Sequence, residues 1–105
     1  LLGHGNMIQA GVIVGAEVKI GSHNLIGANS VLDYDVELLD YIQIGSGTII
    51  GSSVKVGKGA FIGSGVTIVS GISIGKNARI GAGSVVVADV QDGETVFGNP
   101  AAKVK

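Results

Sequence analysis

A branched aliphatic residue returns at every sixth position of this chain without interruption. The series runs Leu2, Ile8, Val14, Ile20, Ile26, Leu32, Leu38, Ile44 and on to Val86, fifteen positions in all. A helix would repeat every 3.6 residues and a strand every 2, so neither element by itself accounts for a period of six. A six-residue period that always returns Leu, Ile or Val marks a β-solenoid in which each hexad lays down one short strand and one corner. Three hexads close a triangular coil, so side chains eighteen apart stack one strand spacing apart, about 4.8 Å. The rhythm predicts an all-β, parallel β-helix of about five triangular 18-residue coils over residues 1–88. Residues 89–105 lose the rhythm, hold the single proline, Pro100, and read as a C-terminal cap or arm.

The positions within the hexad have separate tasks. The residue after the aliphatic is most often glycine, which bends the chain at least steric cost. The fourth residue after the aliphatic is small or β-branched (Val12, Val18, Ser30, Val36, Thr48, Val54), suiting a second inward position. The third is Gly, Asn, Asp, Ser, Glu, Tyr or His, a set dominated by residues that tolerate positive φ, so the left-handed corner residue is expected there. Composition agrees with a narrow aliphatic interior: 46% hydrophobic residues, 4% aromatic and no tryptophan.

The same numbers exclude several functions. A net charge of −1 supplies no basic field for nucleic acid. Glycine and polar residues interrupt every apolar run, so no membrane span is expected. The absence of cysteine removes disulfides and thiolate metal sites; with no signal peptide, it suggests a cytoplasmic location. Leu1, with no initiator methionine and the repeat already running at Leu2, suggests a segment upstream.

Eighteen-residue register turns the sequence into columns. Lys19, Glu37 and Lys55 alternate in charge, as a solvated ion row would. Asp40, Lys58 and Lys76 leave a lysine pair that would suit either a phosphate or plain surface solubility. Phe61, Arg79 and Phe97 would align if the arm kept register, as a platform for an adenine or as a cation–π ladder. Glu17 and Asp35 stack as a carboxylate pair that suits proton transfer, although ordinary turn chemistry explains them equally. His23 occupies a corner position and reads as conformational, whereas His4 has no obvious partner. Two histidines cannot supply the three ligands of a solenoid zinc hydratase, so no metal is expected. Thr48, Thr67 and Thr95 occupy unrelated columns and do not build an ice-binding array.

The stretch SVLDYDVELLDYIQIGSGTIIGS (30–52), IGAGSVV (80–86) and the close Val96-Phe97-Gly98-Asn99-Pro100-Ala101-Ala102-Lys103 resemble the trimeric left-handed β-helix acyltransferases. The closest branch is the sialic-acid O-acetyltransferase and amino-sugar N-acetyltransferase type. Left-handedness is implied by that resemblance and not by the rhythm, since parallel crossovers are ordinarily right-handed. The resemblance further implies a homotrimer that transfers acetyl from acetyl-CoA, without a metal, to the oxygen or nitrogen of a sugar or nucleotide-sugar.

In that family a histidine acts as general base and a following acid orients it. The matching positions are Tyr34 and Asp35, so the orienting acid is kept and the base is a phenol. A second family histidine, near the thioester, falls on Gln43. The acetyl-CoA groove, lined by backbone groups on successive coils, maps to Gln43, Ser64 and Ala82, with the Pro100 arm nearby. The expectation is an acyltransferase impaired at proton removal. The alternative is a catalytically inactive trimeric binding or assembly module.

Overall fold

The computed structural model describes residues 1–104 and contains sixteen short strands, β1 to β16 in chain order. They form the three faces of a left-handed parallel β-helix of about five turns, measuring 35 × 21 × 20 Å. The first face stacks β1 (Met7–Ile8), β4 (Leu25–Ile26), β7 (Gln43–Ile44), β10 (Phe61–Ile62), β13 (Arg79–Ile80), β15 (Thr95–Gly98) and β16 (Ala101–Lys103). The second stacks β2 (Ile13–Val14), β5 (Val31–Leu32), β8 (Ile49–Ile50), β11 (Thr67–Ile68) and β14 (Val85–Val86). The third holds β3 (Lys19–Ile20), β6 (Glu37–Leu38), β9 (Lys55–Val56) and β12 (Ser73–Ile74).

Register follows the eighteen-residue rule. Ile26 pairs with Ile44 and Ile44 with Ile62, each directly over the last and each buried. The predicted corner position also holds: Glu17, His23, Asn29, Asp35, Tyr41, Ser53 and Asn77 all have φ between 58° and 62°. Each hexad thus spends two residues on a strand and bends through one left-handed residue. In the first coil the inward residues Leu2, Ile8 and Val14 are 59, 40 and 47% exposed.

The second inward position carries buried polar residues whose bonds run to the neighbouring coil. Asn24 Nδ2 donates to Leu39 O at 2.9 Å, and its Oδ1 accepts from Ile42 N at 2.8 Å. Ser30 and Thr48 donate in the same way to Gly45 O and Gly63 O. Among the described residues no buried side-chain polar atom lacks a partner. Replacing Asn24 by leucine strands one amide and one carbonyl, so a loss of about 2–4 kcal/mol is expected in denaturant unfolding.

The arm departs from the expected column. The hexad after Val86 is trimmed, and Val90 pairs with Ile74 only sixteen residues on. Consequently Arg79 sits beside Thr95, not Phe97, and the Phe61–Arg79–Phe97 column does not form. Phe97 lies instead over Gly81, where a Cβ built on that glycine would run into its ring. The chain then reverses through Asn99–Pro100, and β16 returns antiparallel to β15, with Phe97 opposite Ala102. Among the described residues no helix is long and apolar enough to cross a membrane.

Candidate functional site

The three faces differ in chemistry. Outward residues of the third face are Lys19, Glu37, Lys55 and Ser73, and those of the first are Met7, Leu25, Gln43, Phe61 and Arg79. The second face presents Ile13, Val31, Ile49, Thr67 and Val85 without a charge, continued by Val69 and Val87 at its border with the third. Ile13, Ile49 and Val87 are 62, 48 and 52% exposed.

The two halves of the candidate site flank this apolar face. Tyr34 and Asp35 lie on the edge between the second and third faces, in the turn linking β5 to β6. The Asp33 carboxylate accepts Tyr34 N at 2.7 Å, and Ser53 N donates to Tyr34 O at 2.9 Å, so the turn is held by backbone contacts. Tyr34 is 53% exposed. Asp35 takes φ 62°, and its Oδ2 accepts from Ser53 Oγ at 3.0 Å.

Ser64 and Ala82 lie on the opposite border, the edge between the first and second faces, one coil apart. Gly83 N donates to Ser64 O at 2.9 Å and locks the two corners together. Gln43 points from the first face beside this edge, paired in register with Leu25 and Phe61, and is exposed. The structure therefore places Gln43, Ser64 and Ala82 along one side of the prism. It does not bring Tyr34 and Asp35 to them within one protomer, because the whole second face intervenes.

One feature of the edge escapes residue-by-residue reading. The ladder uses the amide of the residue after each inward aliphatic, as in Gly45 N to Ile62 O, and that of each corner residue, as in Gly65 N to Ser46 O. The amide between them, two residues after the aliphatic, has no backbone acceptor. Elsewhere a side chain often supplies one: Ser22 N donates to Asp40 Oδ1, Ser52 N to Ser70 Oγ, and Lys76 N to Asp92 Oδ1. At Ser46, Ser64 and Ala82 no acceptor exists among the described residues, and all three residues are exposed. Three donors thus rise along one edge at intervals of about 4.8 Å. Only small residues line this column (Ala10, Ala28, Ser46, Ser64, Ala82), a signal present in the sequence. Gly63 is required here, since a Cβ on it would come within 2.6 Å of Ala82 N.

The remaining columns are less suggestive. Lys19, Glu37 and Lys55 are in register, yet none forms an ion pair; the one salt bridge among the described residues is Lys103 to Glu94 at 3.9 Å. His4 does have a neighbour: its ring meets His23 edge-on at 5.3 Å, and His23 stacks on Tyr41 at 5.0 Å. Among the described residues no three His, Cys, Asp or Glu side chains gather to hold a metal. Two open concavities, of about 460 and 560 Å³, both include Ser73 to Gly75 of the third face and contain none of the five candidate residues.

Comparison with known proteins agrees with this architecture. Residues 53–88 match the family described as bacterial transferase hexapeptide (six repeats). A sequence search of curated proteins finds no significant match. The acetyltransferase domain of PglB from Neisseria gonorrhoeae, solved with acetyl coenzyme A, superposes with a TM-score of 0.97 at 28% identity, over 99% of this chain and 51% of that one. AntD, an N-acyltransferase from Bacillus cereus solved with dTDP and 3-hydroxybutyryl-CoA, gives 0.94 at 25% identity, over 99% of this chain and 70% of that one. PerB from Caulobacter crescentus, solved with CoA and GDP-perosamine, gives 0.74 at 28% identity, over 99% of this chain and 58% of that one.

The chain is thus a hexapeptide-repeat β-helix that resembles the sugar acyltransferases of this fold in its repeat and in its whole backbone. It spans about half the length of the PglB domain.

Proposed function

We propose that this chain is the β-helix of an acetyl-CoA-dependent acyltransferase that acylates a sugar or nucleotide-sugar as a homotrimer. The observation that carries the reading is the row of unpaired amides at Ser46, Ser64 and Ala82. Such a row suits an extended chain bearing its own amide carbonyls, as the pantetheine arm of coenzyme A does, and the PglB domain of the same shape was solved with acetyl coenzyme A. Small side chains let the ligand approach the backbone closely.

The apolar second face supports the trimer. An uncharged sheet face on which Ile13 and Ile49 are exposed and Val31, Thr67 and Val85 half-buried favours burial against another surface. Packing that face around a threefold axis would carry the Tyr34 edge of one protomer toward the Ser64 edge of its neighbour. The site divided within one chain would then be completed between two.

Acyl transfer in this setting forms a bond from the acceptor nitrogen or oxygen to the thioester carbon, breaks the carbon–sulfur bond and releases the thiol. The amide row would position the donor, and Asp35 would orient or hold the acceptor. Positioning supplies much of the rate in such reactions. Proton removal falls to Tyr34 and solvent in place of the histidine that the family carries there, so turnover would be slow. A cytoplasmic location belongs to the same reading.

The test is incubation with acetyl-CoA and a panel of amino- and hydroxy-sugars, following free thiol, together with sedimentation. Thiol release with at least one acceptor and a mass three times 10.4 kDa are expected. Failure to bind acetyl-CoA would remove the reading. A second reading, a trimeric binding module without turnover, is favoured by Tyr34 and Gln43 standing where the family has histidines; binding without thiol release is its signature.

A further inference from the structure

We propose that Gln9 is a register stop on the amide row, a positioning residue that fixes the coil at which the acyl-donor arm docks. This rests on the acyl-donor reading above and deepens it.

A row of equivalent donors holds a ligand without fixing where it starts. Successive amides on this edge stand about 4.8 Å apart. The two amide carbonyls of a pantetheine arm are four bonds apart, about 4.5–5 Å when extended. Such an arm fits any adjacent pair of donors equally well, and sliding by one coil carries its thioester about 4.8 Å. Reacting atoms must lie about 3–3.5 Å apart, and a displacement of about 1 Å can cost about 100-fold in rate. Transfer therefore needs a single register.

Gln9 breaks the equivalence. The residue after the inward aliphatic on this edge is Gly27, Gly45, Gly63 and Gly81 in successive coils, but Gln9 in the first. Its Oε1 accepts from Ala28 N at 3.1 Å, while its own N donates to Ile26 O at 3.0 Å. Ala28 is the donor one coil below Ser46, and Ala10 lies beyond it. At Ser22, Ser52 and Lys76, on the other two edges, the acceptor comes down from the coil above. Here a side chain reaches up from the coil below. What it offers is an amide carbonyl, the same group the arm would bring.

The stop also lies at the height the chemistry requires. Tyr34 follows Ala28 by six residues, a third of a coil, or about 1.6 Å along the axis. A threefold axis parallel to the solenoid keeps that height in the neighbouring protomer. The open part of the row thus ends level with the edge that holds the acceptor.

The deciding experiment is amide NMR of the isotope-labelled full chain titrated with acetyl-CoA, for the wild type, Gln9→Gly and Gln9→Glu. In the wild type at least two of the Ser46, Ser64 and Ala82 amide signals should shift downfield as they gain acceptors, and Ala28 should stay in place. In Gln9→Gly the Ala28 signal should join them, because its donor is open and the arm can slide down one coil. Gln9→Glu keeps an acceptor oxygen, so Ala28 should again be silent. Three results would overturn the proposal and leave the donor reading intact, since the row still binds. They are Ala28 responding in the wild type as strongly as the others, Ala28 silent in Gln9→Gly, and Gln9→Glu behaving as Gln9→Gly does. Acetyl-CoA moving none of the row amides in any of the proteins would overturn both. Should Gln9→Gly fail to fold, Gln9→Ala, which removes the same carboxamide, is read in its place.

Discussion

Tyr34→His is expected to raise the rate of acetyl transfer by about 10²- to 10⁴-fold, the range a positioned general base contributes. The substitution should be tolerated, because the turn is held by the Asp33 carboxylate and by Ser53 N on the backbone of Tyr34, not by the phenol ring. An imidazole there would sit beside Asp35, whose carboxylate is anchored by Ser53 Oγ. Its activity should rise with pH as the ring loses its proton, around an ordinary histidine value of about 6.5. The wild type and Tyr34→Phe should lack that inflection. The check is kcat/KM against pH for the three proteins with the best acceptor found. Absence of any gain, with acetyl-CoA still bound, would favour the binding-module reading.

Ile62→Ala should lower stability by about 2–5 kcal/mol, the range for truncating a fully buried aliphatic side chain. Ile62 is 0% exposed, and its strand is paired with Ile44 on one side and Ile80 on the other. In a stack where each coil touches only its neighbours, a cavity at mid-height weakens two coil interfaces at once. Ile8→Ala, at the 40% exposed end of the same column, should cost less than about 1.5 kcal/mol. Denaturant unfolding of the two variants checks the contrast; equal losses would mean that the first coil is as well buried as the middle one.

The inside of the prism was legible from the chain because its rules are local. A hexad needs an aliphatic to face inward and a residue that accepts φ near 60° to turn, and both recur at fixed spacing from Ile8 to Gly83. Columns followed from the same spacing, so Ile26, Ile44 and Ile62 could be stacked without coordinates. The Phe97 column failed for an equally physical reason: trimming the hexad after Val86 shifted everything beyond it by two residues, and one apolar residue in the wrong frame looks like another. The partner of His4 is equally hidden from a fixed spacing, since His23 is nineteen residues away and on a different column.

Sequence alone determined the period, the inward stack and the left-handed corners, while resemblance to the family supplied the candidate positions Tyr34, Asp35, Gln43, Ser64 and Ala82. Only the tertiary structure decided that these candidates divide between two edges, that an uncharged face separates them, and that three successive amides on one edge, at Ser46, Ser64 and Ala82, lack acceptors. Burial and corner geometry are written in each hexad by its own side chains. Which backbone donors stay unpaired, and which edges border which face, depend on the coil above and the coil below.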